Sequence, residues 1–413
     1  MYFLTIYLFV RAVLFNGCIL LNPFQYFWMM ELSYILNHLG ESRDEYYNAV
    51  SPPIVQTSNF RFESVLDFRN KISTEFENHV YSRGNNPTVA ILRKKLAALE
   101  HAEDCLVFSS GVAAIASAVM GNIRSGDHII CVKSAYSWTK TLLQSYLPRF
   151  GVSHTFVDGR SLDQITAAIL PNTRILYLES PNSTVFELQD LRACASLAKK
   201  HGLLTIIDNS YCSPLFQNPI DLGIDLVLHS GTKYLNGHSD VVMGVLCGTG
   251  QMIKKIFYSE FMNIGHVLGP HDAFLAIRGL RTFHLRVQRS HQTCSDLVTL
   301  LSLHPKIEKI YYPFINEQQA LAVQQMRGGG MFTIALKAKD KGEVILFCDS
   351  LKNFLLAVSW GGHESLVMPV VTFYDMPGQP DPELPWNLVR FYIGLEDPQY
   401  LYQDILQALS AIS

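Results

Sequence analysis

From residue 88 onward, apolar residues arrive in short solid runs separated by stretches of helical spacing. Leu92, Leu96 and Leu99 recur at helical intervals and predict a helix over 88–100. The run Cys105–Phe108 predicts a buried strand, Ser109-Ser110-Gly111 a turn, and the Ala-rich stretch Val112–Met120 a second helix. The alternation continues with strand His128–Val132, helix Thr139–Leu147 and strand His154–Val157. Ser161, with Gln164 three residues on, opens a helix to Leu170, and strand Arg174–Leu178 follows. Asp190 starts a helix over 190–201 that Gly202 stops, and strands Leu204–Ile207 and Asp225–Leu228 come next. Strands apolar on every residue are covered on both faces, so the pattern predicts a mostly parallel sheet between helices, an α/β fold. Beyond 283 the order loosens. One long helix is predicted near 271–304, strands near 307–313, 330–336, 355–359 and 388–393, and a closing helix over 397–411. Residues 38–87 show little periodicity and read as an extended arm; there is no internal repeat, charge block or long linker.

The first 28 residues break this picture. Twenty-one are apolar and Arg11 is the only charge, with the first acid at Glu31. The stretch is long enough to cross a bilayer, but Asn16-Gly17, Asn22-Pro23 and Gln25 interrupt it. It has neither a basic segment ahead of the apolar run nor a small-residue cleavage site after it. Ordinary sequence begins directly after Met29-Met30, so we read 1–29 as a non-structural leader or a misassigned start, ahead of a membrane anchor; mass analysis of the native N-terminus decides between them.

Composition narrows the class. Apolar residues make up 48% and charged residues 17% of 413, which excludes a disordered chain and leaves room for two to three domains. The mean hydropathy of +0.14 owes part of its height to the N-terminal run. A net charge of −3 gives no basic excess for nucleic acid. Eight cysteines stand singly, most inside apolar runs, with no C-x-x-C pair, and so read as small core residues of a reducing, cytoplasmic compartment. The fourteen histidines show no metal spacing, and no metal site is expected.

In a parallel sheet, ligands bind beyond the carboxyl ends of the strands. The polar residues there are Ser109, Ser110, Gly111, Tyr136, Glu179, Asp208, Ser230, Thr232 and Lys233. Strand-Ser-Ser-Gly-helix offers backbone N–H groups at a helix start, an anion cup, although such a turn is more often only a turn. Lys233 is set among Ser230, Gly231, Thr232 and Tyr234, with no acid before Asp240, where it can form an imine with a carbonyl; a lysine on a loop is ordinarily a solvated charge. Asp208 ends an apolar strand and reads equally as a turn acid or as the partner of a cationic ring nitrogen. A phosphate cup, an imine lysine and a nitrogen-pairing carboxylate are together what pyridoxal phosphate requires of a protein. A nucleotide-binding module would instead carry G-x-G-x-x-G or G-K-[ST] after an early strand, and neither is present.

With these residues in place, the chain from about Ser33 to its end resembles the pyridoxal-phosphate enzymes of cysteine and methionine metabolism. Asp225–Asp240 carries the lysine signature, and Tyr81–Thr88, Ser359–Leu366 and Arg390–Glu396 match three further motifs. The resemblance implies a fold of the aminotransferase type (fold type I) with a smaller α+β C-terminal domain. It implies an arm over 30–87, a cofactor domain over 88–282 and a C-terminal domain over 283–413. It implies that Lys233 carries the cofactor and moves protons, that Asp208 pairs with its ring nitrogen, and that Tyr136 stacks on its ring. Gly111, Val112, Ser230 and Thr232 would hold the phosphate, joined by Tyr81 and Arg83 from a neighbouring subunit of a homotetramer. Arg390, assisted by Ser359, would bind the α-carboxylate of a sulfur-containing amino acid; Lys233, Tyr136 and Tyr81 would act in catalysis.

Two departures bear on the reaction. The family's E-[ST]-P-x-N-P reads Glu179-Ser180-Pro181-Asn182-Ser183-Thr184, which puts Ser183 where a cofactor-binding asparagine stands. Trp138, two residues after Tyr136, replaces a small residue or the cysteine that marks methionine γ-lyase. Ser183 and the order Ser359-Trp360-Gly361 are similar to cystathionine β-lyase, whereas Tyr81–Thr88 is nearer the γ-synthase and lyase form. The first expectation is a carbon–sulfur β-lyase acting on cystathionine. The alternative is a γ-elimination or γ-replacement enzyme, and a third reading is a cofactor-binding protein without catalysis.

Overall fold

The computed structural model describes residues 31–413, so the reading of 1–29 lies outside the described residues. Residues 31–39 belong to a unit of their own, helical over 31–37; Gly40–Ser413 form the second and larger unit. No helix among the described residues is long and apolar enough to cross a membrane.

Seven strands build the first sheet of the larger unit: β1 Asp104–Phe108, β2 His128–Val132, β3 Ser153–Val157, β4 Thr173–Glu179, β5 Leu204–Asp208, β6 Leu226–Ser230 and β7 Gly244–Gly248. Their order is β1-β7-β6-β5-β4-β2-β3. The ladders linking β2 to β6 are parallel, as the solid apolar runs predict. β7 is the exception, antiparallel to both β1 and β6, and the sequence reading missed it. Its run Val245-Leu246-Cys247 is short and closed by Gly244 and Gly248, so it carries little pattern of its own. Gly244 is required there, since a Cβ would lie 2.1 Å from the Ser110 carbonyl oxygen.

Ile206, Ile207, Leu226, Val227 and Leu228 are fully buried in the middle of the sheet. At roughly 1.5–3 kcal/mol for each such side chain, this apolar centre fixes the strand ends firmly. Asp190 caps the helix Leu191–His201 by accepting the Ala193 N–H at 3.0 Å, and Gly202 ends it at φ +66°, both as predicted. All seven described cysteines are buried and free.

The second sheet has the order β10-β11-β12-β9-β8, from β8 Ile307–Tyr311, β9 Met331–Leu336, β10 Leu355–Leu356, β11 Leu366–Pro369 and β12 Leu388–Tyr392. Its own apolar core includes Phe332, Phe347, Val389 and Phe391. β11 and the helix Lys341–Ser350 escaped prediction, although Asp340 caps that helix through the Glu343 N–H at 3.0 Å.

The long helix expected near 271–304 is two helices, Pro270–Leu280 and Phe283–Leu301. Thr282 leaves helical geometry at φ −109° and ψ 9°. The buried Arg286 guanidinium occupies the break, donating to the carbonyls of Gly279 and Tyr234 at 2.8 and 3.2 Å. The arm is not wholly extended either. Ser64 caps a helix over Val65–Ser73 that buries none of its residues, and a helix without a buried face leaves no stripe in the sequence.

Candidate active site

β4, β5 and β6 end in register, so Glu179 lies beside Asp208 and Asp208 beside Leu228, two residues before Ser230. Ser210 joins two of these ends. Its N–H donates to the Asp208 carboxylate at 2.9 Å, and its hydroxyl accepts the Ser230 N–H at 2.6 Å. Ser210 was not among the expected site residues; an Asp closing a strand with Ser two positions on, as in an Asx-type turn, is the signal that could have found it.

The sequence pattern marks Glu179 only as a strand-end residue. It accepts the Tyr136 N–H at 2.7 Å, which fixes the loop that presents the half-exposed Tyr136 ring. Both carboxyls are buried, and burial raises both pKa values. Glu179 is pushed further, by burial and then by the neighbouring Asp208, while hydrogen bonds from Ser210 and the charges of His229 and Lys233 hold Asp208 down. Of the two carboxyls, Asp208 is raised less, which suits it to face a cationic ring nitrogen.

At the end of β1, Ser110 caps the helix Gly111–Met120 by accepting the Ala113 N–H at 3.1 Å. The Gly111 and Val112 N–H groups, first in that helix, have no acceptor among the described residues. A Cβ on Gly111 would lie 3.0 Å from the Ser230 Cβ, so glycine lets the helix start close against Ser230. The Ser230 hydroxyl is uncommitted among the described residues. Free N–H groups and a free hydroxyl at a helix start suit a phosphate, and a buried carboxylate beside a lysine suits a pyridine aldehyde. Thr232 is more constrained than expected: its hydroxyl both donates to the Met243 carbonyl at 3.2 Å and accepts the Met243 N–H at 2.9 Å.

The turn after β6 presents Lys233. Its Nζ donates to the Ser359 hydroxyl at 2.5 Å and lies 5.6 Å from the centre of the Trp360 ring. Burial, and then the nearby Arg390, push the Lys233 pKa down to about 8 against a smaller opposing pull from Asp208. Trp360 belongs to an aromatic group with Tyr234 and Tyr211 that keeps water from this side of the amine. Gly361 permits that approach: at φ +92° it places its Cα so close to the lysine that a Cβ would lie 2.7 Å from the Lys233 carbonyl carbon.

Arg390, on β12, brings the second sheet into the site. It donates to the carbonyls of Ser183 and Ser359, each at 3.0 Å. Two of the guanidinium's donors are thus used, and the rest remain for a carboxylate. Burial pushes its pKa down to about 10, which still leaves it a cation at neutral pH. Asn182 does not substitute for the missing asparagine. Its Oδ1 accepts the N–H groups of Thr184, Val185 and Phe186 at 3.1, 3.0 and 3.1 Å and so holds the turn.

Lys233, Ser359, Arg390 and Ser183 thus form one connected group, and Asp208, Ser210, Ser230 and Gly111 another along the strand ends. Tyr81 and Arg83 join neither through a hydrogen bond among the described residues. Both are exposed on the arm, with the guanidinium 5.4 Å from the tyrosine ring centre.

Comparison with known proteins agrees with this geometry. The family model described as Cys/Met metabolism PLP-dependent enzyme matches residues 34–410. L-Methionine gamma-lyase of Treponema denticola is 35% identical over 91% of this chain and 96% of its own length. Cystathionine gamma-lyase of Bacillus subtilis is 35% identical over 93% and 100%. Chloroplastic cystathionine gamma-synthase 1 of Arabidopsis thaliana is 36% identical over 91% and 68%. The crystal structure of metB from Corynebacterium glutamicum superposes with a TM-score of 0.85 at 32% identity, covering 92% of this chain and 97% of that one. The fold is therefore that of the aminotransferase-type (fold type I) enzymes, with a mostly parallel sheet and a second, smaller one. The chain belongs to the pyridoxal-phosphate-dependent enzymes of cysteine and methionine metabolism.

Proposed function

We propose that this protein acts at Cγ of a sulfur-containing amino acid, by γ-elimination or γ-replacement. The observation that carries the reading is that relatives matching about nine-tenths of the chain bear the names of γ-enzymes, methionine gamma-lyase and cystathionine gamma-lyase among them. The first expectation, a β-lyase acting on cystathionine, rested on Ser183 and Ser359-Trp360-Gly361, and these names support its alternative instead.

Pyridoxal phosphate, when bound, supplies an electron sink for the charge that develops on the substrate carbons. The protein's own residues do the remainder. Arg390 grips the α-carboxylate bidentately, and Ser359 keeps the amine of Lys233 in register with it. Asp208 would hold the proton on the ring nitrogen, Tyr136 would stack on the ring, and Gly111, Val112, Ser230 and Thr232 would hold the phosphate, with Ser183 as a further cofactor contact. Lys233, neutral at lower pH than an ordinary lysine, takes the Cα proton and then serves the Cβ position that γ-departure requires. Tyr136 and Tyr81 stand as the further proton-moving groups.

The test is the keto acid released by the cofactor-loaded protein. Elimination at Cγ converts cystathionine and water to cysteine, 2-oxobutyrate and ammonia, and converts methionine and water to methanethiol, 2-oxobutyrate and ammonia. We expect 2-oxobutyrate, or with a replacement enzyme a new thioether from an O-acylhomoserine and a thiol. Homocysteine with pyruvate would restore the β-lyase.

We further propose that the site is completed in a homotetramer by Tyr81 and Arg83 of a neighbouring copy. Their exposure, and that of Val65, Leu66, Phe68 and Ile72 on the same arm, support this. Tyr81→Ala and Lys233→Ala subunits, each inactive, should recover roughly a quarter of wild-type activity when refolded together, because half of randomly mixed pairs hold one intact site of two. No recovery in verified mixed oligomers would contradict sharing.

A further inference from the structure

Behind the cofactor-facing strand ends lies a buried polar group that the catalytic reading leaves unused. Glu100 follows the helix Pro87–Leu99 and is only 1% exposed. Its Oε1 accepts the Asn209 Nδ2 at 3.0 Å and is also hydrogen-bonded to the His229 Nε2. Asn209 directly follows Asp208, and His229 directly precedes Ser230. One carboxylate oxygen thus ties the end of β5 to the end of β6.

The tie reaches β4 as well. Gln217 Nε2 donates to the Asn209 Oδ1 at 2.9 Å and to the Ser180 carbonyl at 2.8 Å, and Ser180 directly follows Glu179. Three strand ends, carrying Glu179, Asp208 and Ser230, are therefore held from behind by one network. The other Glu100 oxygen, Oε2, is buried with no hydrogen-bond partner among the described residues. An ionisable side chain so placed is costly unless it has a task, because a buried charge loses its hydration.

We propose that Glu100 is a positioning residue of the cofactor site, setting the spacing between Asp208 and Ser230 through Asn209 and His229. The spacing matters because Asp208 would pair with the ring nitrogen and Ser230 with the phosphate of one and the same cofactor, and a site misplaced by a fraction of an ångström loses affinity. A carboxylate oxygen can accept both donors at once, whereas an apolar side chain of the same size accepts neither.

The inference rests on the reading of Asp208, Ser230 and Lys233 as cofactor residues, so the experiment separates the two. Pyridoxal phosphate is titrated into the full chain of the wild type, Glu100→Leu, Glu100→Gln and Asn209→Ala, with the dissociation constant and absorbance maximum of the bound cofactor read beside the melting temperature. Glu100→Leu is expected to bind about tenfold more weakly, with a displaced absorbance maximum, on the scale by which supporting residues tune a bound group. Glu100→Gln keeps an acceptor oxygen and turns its amide toward the unpartnered side, so it should bind within about threefold of wild type. Asn209→Ala, which cuts the links to Glu100 and Gln217 but spares the tie between Glu100 and His229, should fall between, and it carries the test if Glu100→Leu does not fold. Wild-type affinity and spectrum in a folded Glu100→Leu, or in Asn209→Ala, would overturn the proposal. If Lys233→Ala, run in parallel, still forms the covalent cofactor adduct, the cofactor reading itself fails, and the two failures are distinct.

Discussion

Lys233→Ala is expected to lose activity by on the order of 10³-fold or more, the largest single effect in the molecule. The substitution removes both the attachment point for the cofactor and the base in the site. The amine's immediate neighbours supply no second amine. Among the described residues the amine's hydrogen-bond partner is Ser359, an alcohol, and the adjacent cation, Arg390, cannot give up its proton near neutral pH. Lys233→Arg should not rescue it, because a guanidinium supplies the charge without a nucleophilic amine. The check is kcat under saturating cofactor, with absorbance of the bound cofactor as an independent record. A variant that keeps more than about a tenth of wild-type kcat would remove Lys233 from the chemistry.

The second large effect falls on binding. Arg390→Ala should lower kcat/KM by roughly 10²-fold, mostly through KM, since truncating one member of a buried charge pair costs about 2–5 kcal/mol. Burial already pushes its pKa down, which records how little water reaches this cation before a substrate carboxylate does. Arg390→Lys should recover only part of the loss, because an ammonium cannot reproduce the two parallel donors. Steady-state kinetics with cystathionine or methionine decide it. An unchanged KM would mean that the carboxylate is bound elsewhere.

Much of this arrangement was legible in the sequence because it is local. Asp208 ends a solid apolar strand, Gly111 opens a helix directly after another, and Lys233 follows a third; each places its own chemistry. Arg390 was legible only by resemblance, since nothing in its neighbours announces that β12 crosses back toward Ser183. The β-lyase expectation takes Ser183 and the order Ser359-Trp360-Gly361 as signs of reaction type. Trp360 and Ser359 have local tasks at Lys233, and position 183 gives Arg390 its backbone carbonyl, which any residue there would supply.

What was not legible depends on long-range contact. β7 is a run of apolar residues whose direction is decided by its neighbours β1 and β6. The long C-terminal helix breaks at Thr282 because Arg286 finds carbonyl acceptors there, including one 52 residues away in sequence. Ser210 and Glu100 act through bonds to residues that no short pattern links to them.

The central claim is that Lys233 is the residue that binds the cofactor covalently. Borohydride reduction of the cofactor-loaded chain, followed by peptide mass mapping, tests it most directly. The account predicts one pyridoxyl phosphate mass, on the peptide containing Lys233. The same mass on another lysine, or no adduct on a chain that has bound the cofactor, would contradict it.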